Sequence, residues 1–375
     1  MKKNKNLCFF IVTGEVSGDM YGALLSNALY KLNPDIRIFG MGGKRMEKAG
    51  VKLIADSLSI SVVGFTELLP KLVKILLIFS RIKRFILQKQ PSVTILIDYP
   101  GFNLRLARIL KRNKIPVLYY IPPQVWAWNK KRVKKLASFV DRTAVILPFE
   151  KDWFRKEGYE VEYVGHPLME ILQSWRGPFL NKEIGEKIVG ILPGSRKTEV
   201  KKILPLMLKT ARLMKGKLRF ILPLAPGIEE KFVTRYIKKF SVKVEIYKGS
   251  SLSVIKSADL LLVASGTATL EAAYFKVPMI IIYKVNWITY LLAKILVKVP
   301  WIGLVNLIAE KEIVPEFIQG KAKPPQIAKL ATEYLTDEKK IEKIKKELFS
   351  VVQKLYIENT SEKVAKIALS LCKEV

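Results

Sequence analysis

Ser265-Gly266-Thr267 stands between a continuous apolar run, Leu260 to Val263, and a helical stretch whose first turn carries Glu271. Such a run suits a parallel strand covered on both faces, and side chains this small leave the backbone open to a ligand. A helix beginning at Thr267 turns free N–H groups and its positive dipole end toward the loop, a combination that cradles phosphate. Glu271 can accept hydrogen bonds from a sugar diol, as the acidic residue of a dinucleotide fold does; the alternative is an N-capped helix with a solvated carboxylate. Gly194-Ser195-Arg196 repeats the arrangement after Ile191-Leu192-Pro193. There Arg196 can clamp a phosphate through two hydrogen bonds while the N–H groups of Gly194 and Ser195 face it. Two cradles in one half of the chain point to a nucleotide.

Asp98 ends the apolar run Val93 to Ile97 and is the only carboxylate between Glu67 and Asp141, a window that holds sixteen Lys and Arg. The carboxyl end of a parallel strand is where open α/β sheets bind ligands, and the surrounding cations favour an ionised carboxylate able to take a proton. The plainer reading is a turn residue bonded to its own backbone. Gly14-Glu15-Val16-Ser17-Gly18-Asp19 follows the first apolar run and offers either a backbone surface for a sugar or a simple strand, turn and capped helix. Trp126 and Trp128, next to Pro122 and Pro123 and ahead of a basic run, form a rigid aromatic platform. Stacking on a sugar, stacking on a nucleic-acid base and burial of a loop are all open to it. The single histidine, His166 in Gly-His-Pro, reads as a hydrogen-bonded joint residue. With one histidine and no HExxH, Asp-x-Asp or P-loop lysine motif, zinc hydrolysis, a carboxylate-chelated metal and a Ser-His-Asp triad lose support.

Alternating elements must position these residues. Strand-like runs at 7–12, 36–39, 93–97, 117–121, 142–146 and 160–164 predict one doubly wound parallel sheet, and runs at 188–192, 218–222, 242–246, 260–263 and 278–282 predict another. The chain therefore divides into 1–168 and 169–375, with Lys-rich helices at the end, and two such domains place a ligand cleft between their carboxyl strand edges. A length of 375 residues suits two cores. The formal net charge of +32 calls for an anionic partner: a phosphorylated substrate, an anionic lipid or nucleic acid. Cys8 and Cys372 lie in apolar surroundings without metal-ligand spacing, as suits thiols in a reducing cytoplasm. The basic and apolar N-terminus is too short in its apolar part for a signal peptide and reads as the first strand; lysines interrupt every longer apolar segment, so none spans a membrane.

One helix stands apart. Leu68, Leu72, Ile75, Phe79, Ile82 and Ile86 recur at helical spacing, and the stretch from Glu67 to Asp98 has six basic residues and no acid between them. On periodicity alone this stripe covers a core, with Lys71, Lys74, Arg81 and Arg84 solvated; the second reading is an interfacial helix with its cations on lipid phosphates.

Taken in order, Gly14-Glu15-x-Ser17-Gly18-Asp19, Asp98-x-Pro100-x-Phe102-Asn103, Val125-Trp126-Ala127-Trp128, Leu147-Pro148-Phe149-Glu150, Leu192-Pro193-Gly194-Ser195-Arg196 and Ser265-Gly266-Thr267-Ala268-x-Leu270-Glu271 resemble the lipid-A-disaccharide synthase family nearly end to end. The resemblance implies an α/β fold of GT-B type, two doubly wound Rossmann-like domains, the first facing acceptor and membrane and the second binding UDP-sugar. It implies an inverting transfer, without metal or cofactor, of 2,3-diacylglucosamine from UDP to 2,3-diacylglucosamine 1-phosphate, giving the β-1,6-linked disaccharide of lipid A. Asp98 is then the base; the Gly194-Ser195-Arg196 and Ser265-Gly266-Thr267 loops hold UDP, Glu271 its ribose, and Asn306 the nucleotide as well. Gly14, Glu15 and Ser17 join the substrate site. Gly101 departs from the family, which more often has a second aspartate there, and leaves Asp98 as the sole carboxylate. The resemblance tips the 68–86 helix toward acyl and membrane contact. It also implies a cytoplasmic protein peripheral to the inner membrane, no nucleic-acid partner, and a homodimer, in some members through exchanged C-terminal segments that otherwise pack back on the first domain. Another UDP-sugar enzyme of the same fold, a peptidoglycan glycosyltransferase or a UDP-sugar epimerase, would share the cradles but lack Val125 to Trp128. A basic scaffold for RNA or membrane would leave them idle.

Overall fold

β-Branched and aromatic runs become strands wherever helices cover both faces, and here they do so twice. The computed structural model describes residues 7–56, 68–128, 131–287, 290–291, 294 and 299–372. Strands β1 (Cys8–Thr13), β2 (Arg37–Gly42), β3 (Lys52–Asp56), β4 (Val93–Ile97), β5 (Val117–Tyr120), β6 (Arg142–Val145) and β7 (Glu162–Tyr163) form one sheet in the order β3-β2-β1-β4-β5-β6-β7. Strands β8 (Lys187–Leu192), β9 (Leu218–Pro223), β10 (Val244–Tyr247), β11 (Leu260–Ala264), β12 (Met279–Tyr283) and β13 (Glu316–Ile318) form the other, in the order β10-β9-β8-β11-β12-β13. Every pairing in both sheets is parallel. Strands β4 and β11 are buried along their whole length, as continuous apolar runs in a doubly covered sheet should be.

In each sheet the chain winds first to one side and then to the other. The reversal falls between β1 and β4 in the first sheet and between β8 and β11 in the second. At such a point the helices leaving two adjacent strands diverge to opposite faces, opening a crevice at the carboxyl ends of those strands.

The chain separates into two units, Met1–Glu170 with Ile357–Val375, and Ile171–Tyr356. The last helix, Thr360–Leu371, returns to the first unit and packs on the helix Val16–Leu32 and on β4 and β5. Glu170 fixes its start by accepting from the Ser361 amide at 2.7 Å and from its hydroxyl at 2.5 Å. Cys8 and Cys372 are free thiols, and burial pushes both pKa values up, that of Cys372 to about 11.

The helix Leu68–Lys89 turns its regular stripe inward. Ile82 and Ile86 are fully buried in the first core, and Ile75, Phe79 and Phe85 pack against that core. Ile82, expected at a membrane face, is thus a core residue, because a stripe at strict helical spacing is what a sheet-covering helix needs. The outer face has its own apolar residues: Val73 is 56% exposed, Leu76 61% and Leu77 66%. Lys74, Arg81 and Arg84 are exposed as well; the side chains of Leu68, Lys71 and Leu72 lie outside the described part.

Candidate active site

Four of the short motifs meet at the two reversal points. In the first unit, Thr13 pairs with Ile97, so Gly14 and Asp98 leave neighbouring strand ends together. Asp98 and Tyr99 both adopt left-handed backbone, with φ of 49° and 47°. That conformation costs a non-glycine residue roughly 1 to 2 kcal/mol and persists only where the surroundings impose it. They do so here. The Asn103 side-chain amide donates to the carbonyls of Ile97 at 3.2 Å and Asp98 at 2.7 Å, and the Tyr119 hydroxyl donates to the Asp98 carbonyl at 2.8 Å. Burial first, and then the charge of Asp98, pushes the Tyr119 phenol well above its ordinary range, so it remains a donor. The Asp98 backbone is thereby fixed at the edge of the sheet, and the residue is half-buried just ahead of the helix Pro100–Arg112.

Tyr99 stacks on Phe102, centroids 5.5 Å apart, and Phe102 meets Phe79 edge-on at 5.0 Å. A β-carbon on Gly14 would overlap the Tyr99 ring, which is why only glycine suits that position. Glu15 begins the helix Val16–Leu32, and its charge is one cause, after burial, of the raised pKa of Tyr99. Ser17, half-buried, lies in the first turn. Asp19 of the same motif has a structural task, accepting from the amides of Gly43, Arg45 and Met46 at 2.7 to 3.1 Å.

Trp126 is buried and donates from Nε1 to Glu150 at 2.9 Å. Glu150 also accepts from the Leu147 amide, so two separate sequence motifs are tied together. Burial pushes the Glu150 pKa up to about 7 against these bonds. His166 is buried, and the Leu168 amide donates to its Nδ1 at 3.2 Å; burial brings its pKa down to about 3 and keeps the ring neutral.

In the second unit, Leu192 pairs with Val263, bringing the Gly194 and Ser265 loops to adjacent strand ends. Gly194 has φ of 104°, and a β-carbon there would strike the Glu199 carboxylate, so both conformation and space demand glycine. Glu199 accepts from the Arg196 amide at 3.3 Å and pairs with its guanidinium at 3.2 Å. Arg196 caps the 17-residue helix Lys197–Leu213 and keeps 59% of its side chain exposed. Ser265 donates to the Ile302 carbonyl at 2.8 Å, whereas a side chain on Gly266 would meet open space. Thr267 caps the helix Ala268–Tyr274, which has only seven residues, so loop amides carry more of any anion binding here than helix dipole.

Glu271 keeps some contact with solvent; its carboxyl has no hydrogen-bond or ion-pair partner among the described residues, and burial pushes its pKa up to about 7. Asn306 is different. It is fully buried, donates to the Val314 carbonyl and to Glu316, each at 2.8 Å, and accepts from the amides of Ile313 and Val314. Its four hydrogen-bonding positions are taken up inside the protein, where it holds Glu316 and the 313–314 backbone. Glu316, which it holds, accepts from the amides of Ile302 and Gly303 at 2.9 Å, and Ile302 in turn takes the Ser265 hydroxyl.

The chain matches the model of the family described as lipid-A-disaccharide synthetase over residues 9–369. The lipid-A-disaccharide synthase of Syntrophus aciditrophicus is 43% identical over 97% of both chains, and that of Geobacter sulfurreducens 38% over 99% of both. The chain belongs to this family. It is therefore a hexosyltransferase of lipid A disaccharide synthesis, and family membership implies a UDP-sugar donor. Among solved structures, the UDP-GlcNAc 2-epimerase from Neisseria meningitidis bound to UDP-GlcNAc aligns with TM-score 0.69 at 13% identity, covering 97% of this chain and all of that one. A calicheamicin glycosyltransferase aligns with TM-score 0.61 at 13% identity over 99% of both. These likenesses show the fold: two Rossmann-like domains of GT-B type. Among the described residues of this synthetase no helix is long and apolar enough to cross a membrane.

Proposed function

We propose that this chain transfers 2,3-diacylglucosamine from its UDP carrier to O6 of 2,3-diacylglucosamine 1-phosphate. The products are the β-1,6-linked disaccharide 1-phosphate and UDP. The observation that carries the reading is Asp98, its backbone held left-handed at the reversal point of one sheet, with two glycine-shaped loops at the reversal point of the other. Asp98 takes the proton of the acceptor 6-hydroxyl as O6 attacks the anomeric carbon. The bond from that carbon to UDP breaks on the opposite side, inverting the centre, and the diphosphate takes the electron pair. Backbone amides of the Gly194-Ser195 and Ser265-Gly266-Thr267 loops, with Arg196, stabilise that charge. Glu271 accepts from the ribose hydroxyls. Gly14, Glu15 and Ser17 border the acceptor side. One carboxylate suffices, and no metal or cofactor enters the scheme.

The same reading makes the enzyme cytoplasmic and peripheral on the inner face of the inner membrane, docked through Val73, Leu76 and Leu77 with Lys74, Arg81 and Arg84 on anionic headgroups. A homodimer belongs to this reading; nucleic acid does not. Mass spectrometry of the purified protein with the UDP-linked donor and the phosphorylated acceptor should show disaccharide 1-phosphate and stoichiometric UDP. An epimerised donor without disaccharide would overturn the assignment. In vesicle sedimentation, Leu76→Ser with Leu77→Ser should release a folded protein from phosphatidylglycerol; undiminished binding would remove this helix from the membrane contact.

A further inference from the structure

The helix Pro100–Arg112 and the helix Lys131–Phe139 line an open cavity of about 350 Å³ directly after the Asp98 turn. Gly101, Leu104, Arg105 and Arg108 line it from the first helix, at positions i, i+3, i+4 and i+7, which form one face. Arg132, Lys135 and Phe139 line it from the second, and Pro100 closes the end next to Asp98. The cavity thus has an apolar side and four cations. Arg105, Arg108 and Lys135 make no ion pair among the described residues, and the nearby acid Asp141 is engaged by Lys111 at 2.5 Å and by the Val117 amide at 2.8 Å. Arg105, Arg108 and Lys135 around one hollow repel one another unless an anion joins them. At Gly101 a β-carbon would meet nothing within 4 Å, so the hollow has room on that side.

We propose that this cavity binds the phosphate monoester of the acceptor. Pro100, Leu104 and Phe139 lie against the apolar part of the same molecule, and the cations make the enzyme select a phosphorylated acceptor. Arg105 lies about 7.5 Å further along the helix axis than Pro100, within reach of one sugar ring whose hydroxyl is at Asp98. The inference rests on the transfer reading above and adds to it the residues that recognise the acceptor.

The test compares 2,3-diacylglucosamine 1-phosphate with 2,3-diacylglucosamine lacking the phosphate, in the parent and in Arg105→Gln with Arg108→Gln. Acceptor KM for the phosphorylated compound should rise about tenfold or more, as expected for lost charge-assisted bonds, while donor KM is unchanged and the two proteins use the unphosphorylated acceptor alike. Lys135→Gln, on the facing helix, should give the same selective loss and guards against misfolding of the double variant. Unchanged preference for the phosphorylated acceptor, or a parallel rise in donor KM, overturns the proposal. So does a double variant that loses phosphatidylglycerol vesicles yet keeps its acceptor preference, since the cavity would then hold a lipid headgroup. A parent that makes no disaccharide overturns the transfer reading and this assignment with it; a parent that does, beside variants with parental preference, overturns this assignment alone.

Discussion

The two reversal points hold their chemistry in opposite ways. At the end of β4 the left-handed backbone of Asp98 is gripped through its carbonyl by Asn103 and Tyr119, and next to it Tyr99 stacks on Phe102. At the ends of β8 and β11 the loops carry little side chain, and their support is a chain of hydrogen bonds behind them, from Asn306 through Glu316 to Ile302 and Ser265. A proton acceptor must be aimed as one group, so rigidity at one residue serves it. A diphosphate is held by several amides at once, so its site needs open backbone and a support that never touches the ligand.

Asp98→Asn tests the first half of that contrast and should have the largest effect. Asparagine tolerates the left-handed backbone and keeps the side-chain shape but cannot take the proton. Turnover should fall by roughly 10² to 10⁴, with UDP affinity and melting temperature at parental values. Near-parental turnover would mean that the carboxylate is only a turn residue. Asn306→Ala tests the second half. It removes four hydrogen bonds in a closed core and should cost about 2 to 4 kcal/mol in denaturant unfolding. If UDP affinity collapsed instead while stability held, Asn306 would be a ligand contact and the support would lie elsewhere.

The central strands and the loops that follow them were legible in the sequence because both leave local marks, an apolar run and then a cluster of small or charged residues. Strands β3 and β13 were not foreseen: each lies at a sheet edge, and Lys52, Asp56 and Glu316 break their apolar pattern. Long-range support was equally hidden. That Tyr119 serves Asp98, that Glu150 serves Trp126 and that Asn306 serves Ser265 through Glu316 depends on pairings across tens of residues, for which a single chain carries no local signal. The stripe of the 68–86 helix misled for a related reason. Its regularity fitted either a core or a membrane, and the exposed Leu76 and Leu77 fall outside the stripe. Of Asn306 the sequence offered a ligand contact or a buried amide, and the structure shows a buried amide with its hydrogen bonds made inside the protein.

The smallest expected effect is the most specific to the second reversal point, because Glu271 sits there with a pKa of about 7 that burial has raised. A carboxyl whose folded pKa exceeds its unfolded value holds a proton in the fold that the unfolded chain has released. Its contribution to stability is therefore fully present below the unfolded pKa, near 4.5, and is lost as pH climbs toward 7. Glu150, raised to a similar value, acts in the same direction, so the parent curve alone cannot separate the two. Glu271→Gln can: it should flatten part of the decline in melting temperature between pH 5 and 8. Binding should move the opposite way. The ionised carboxylate is the better acceptor for a ribose diol, so UDP affinity in the parent should rise a few-fold, on the order of 1 kcal/mol, as pH passes 7. The ionisation of UDP itself is common to both proteins, so the difference between their titrations isolates the residue. If the two pH profiles of UDP affinity coincide, Glu271 does not hold the ribose, and the loops bind the diphosphate without it.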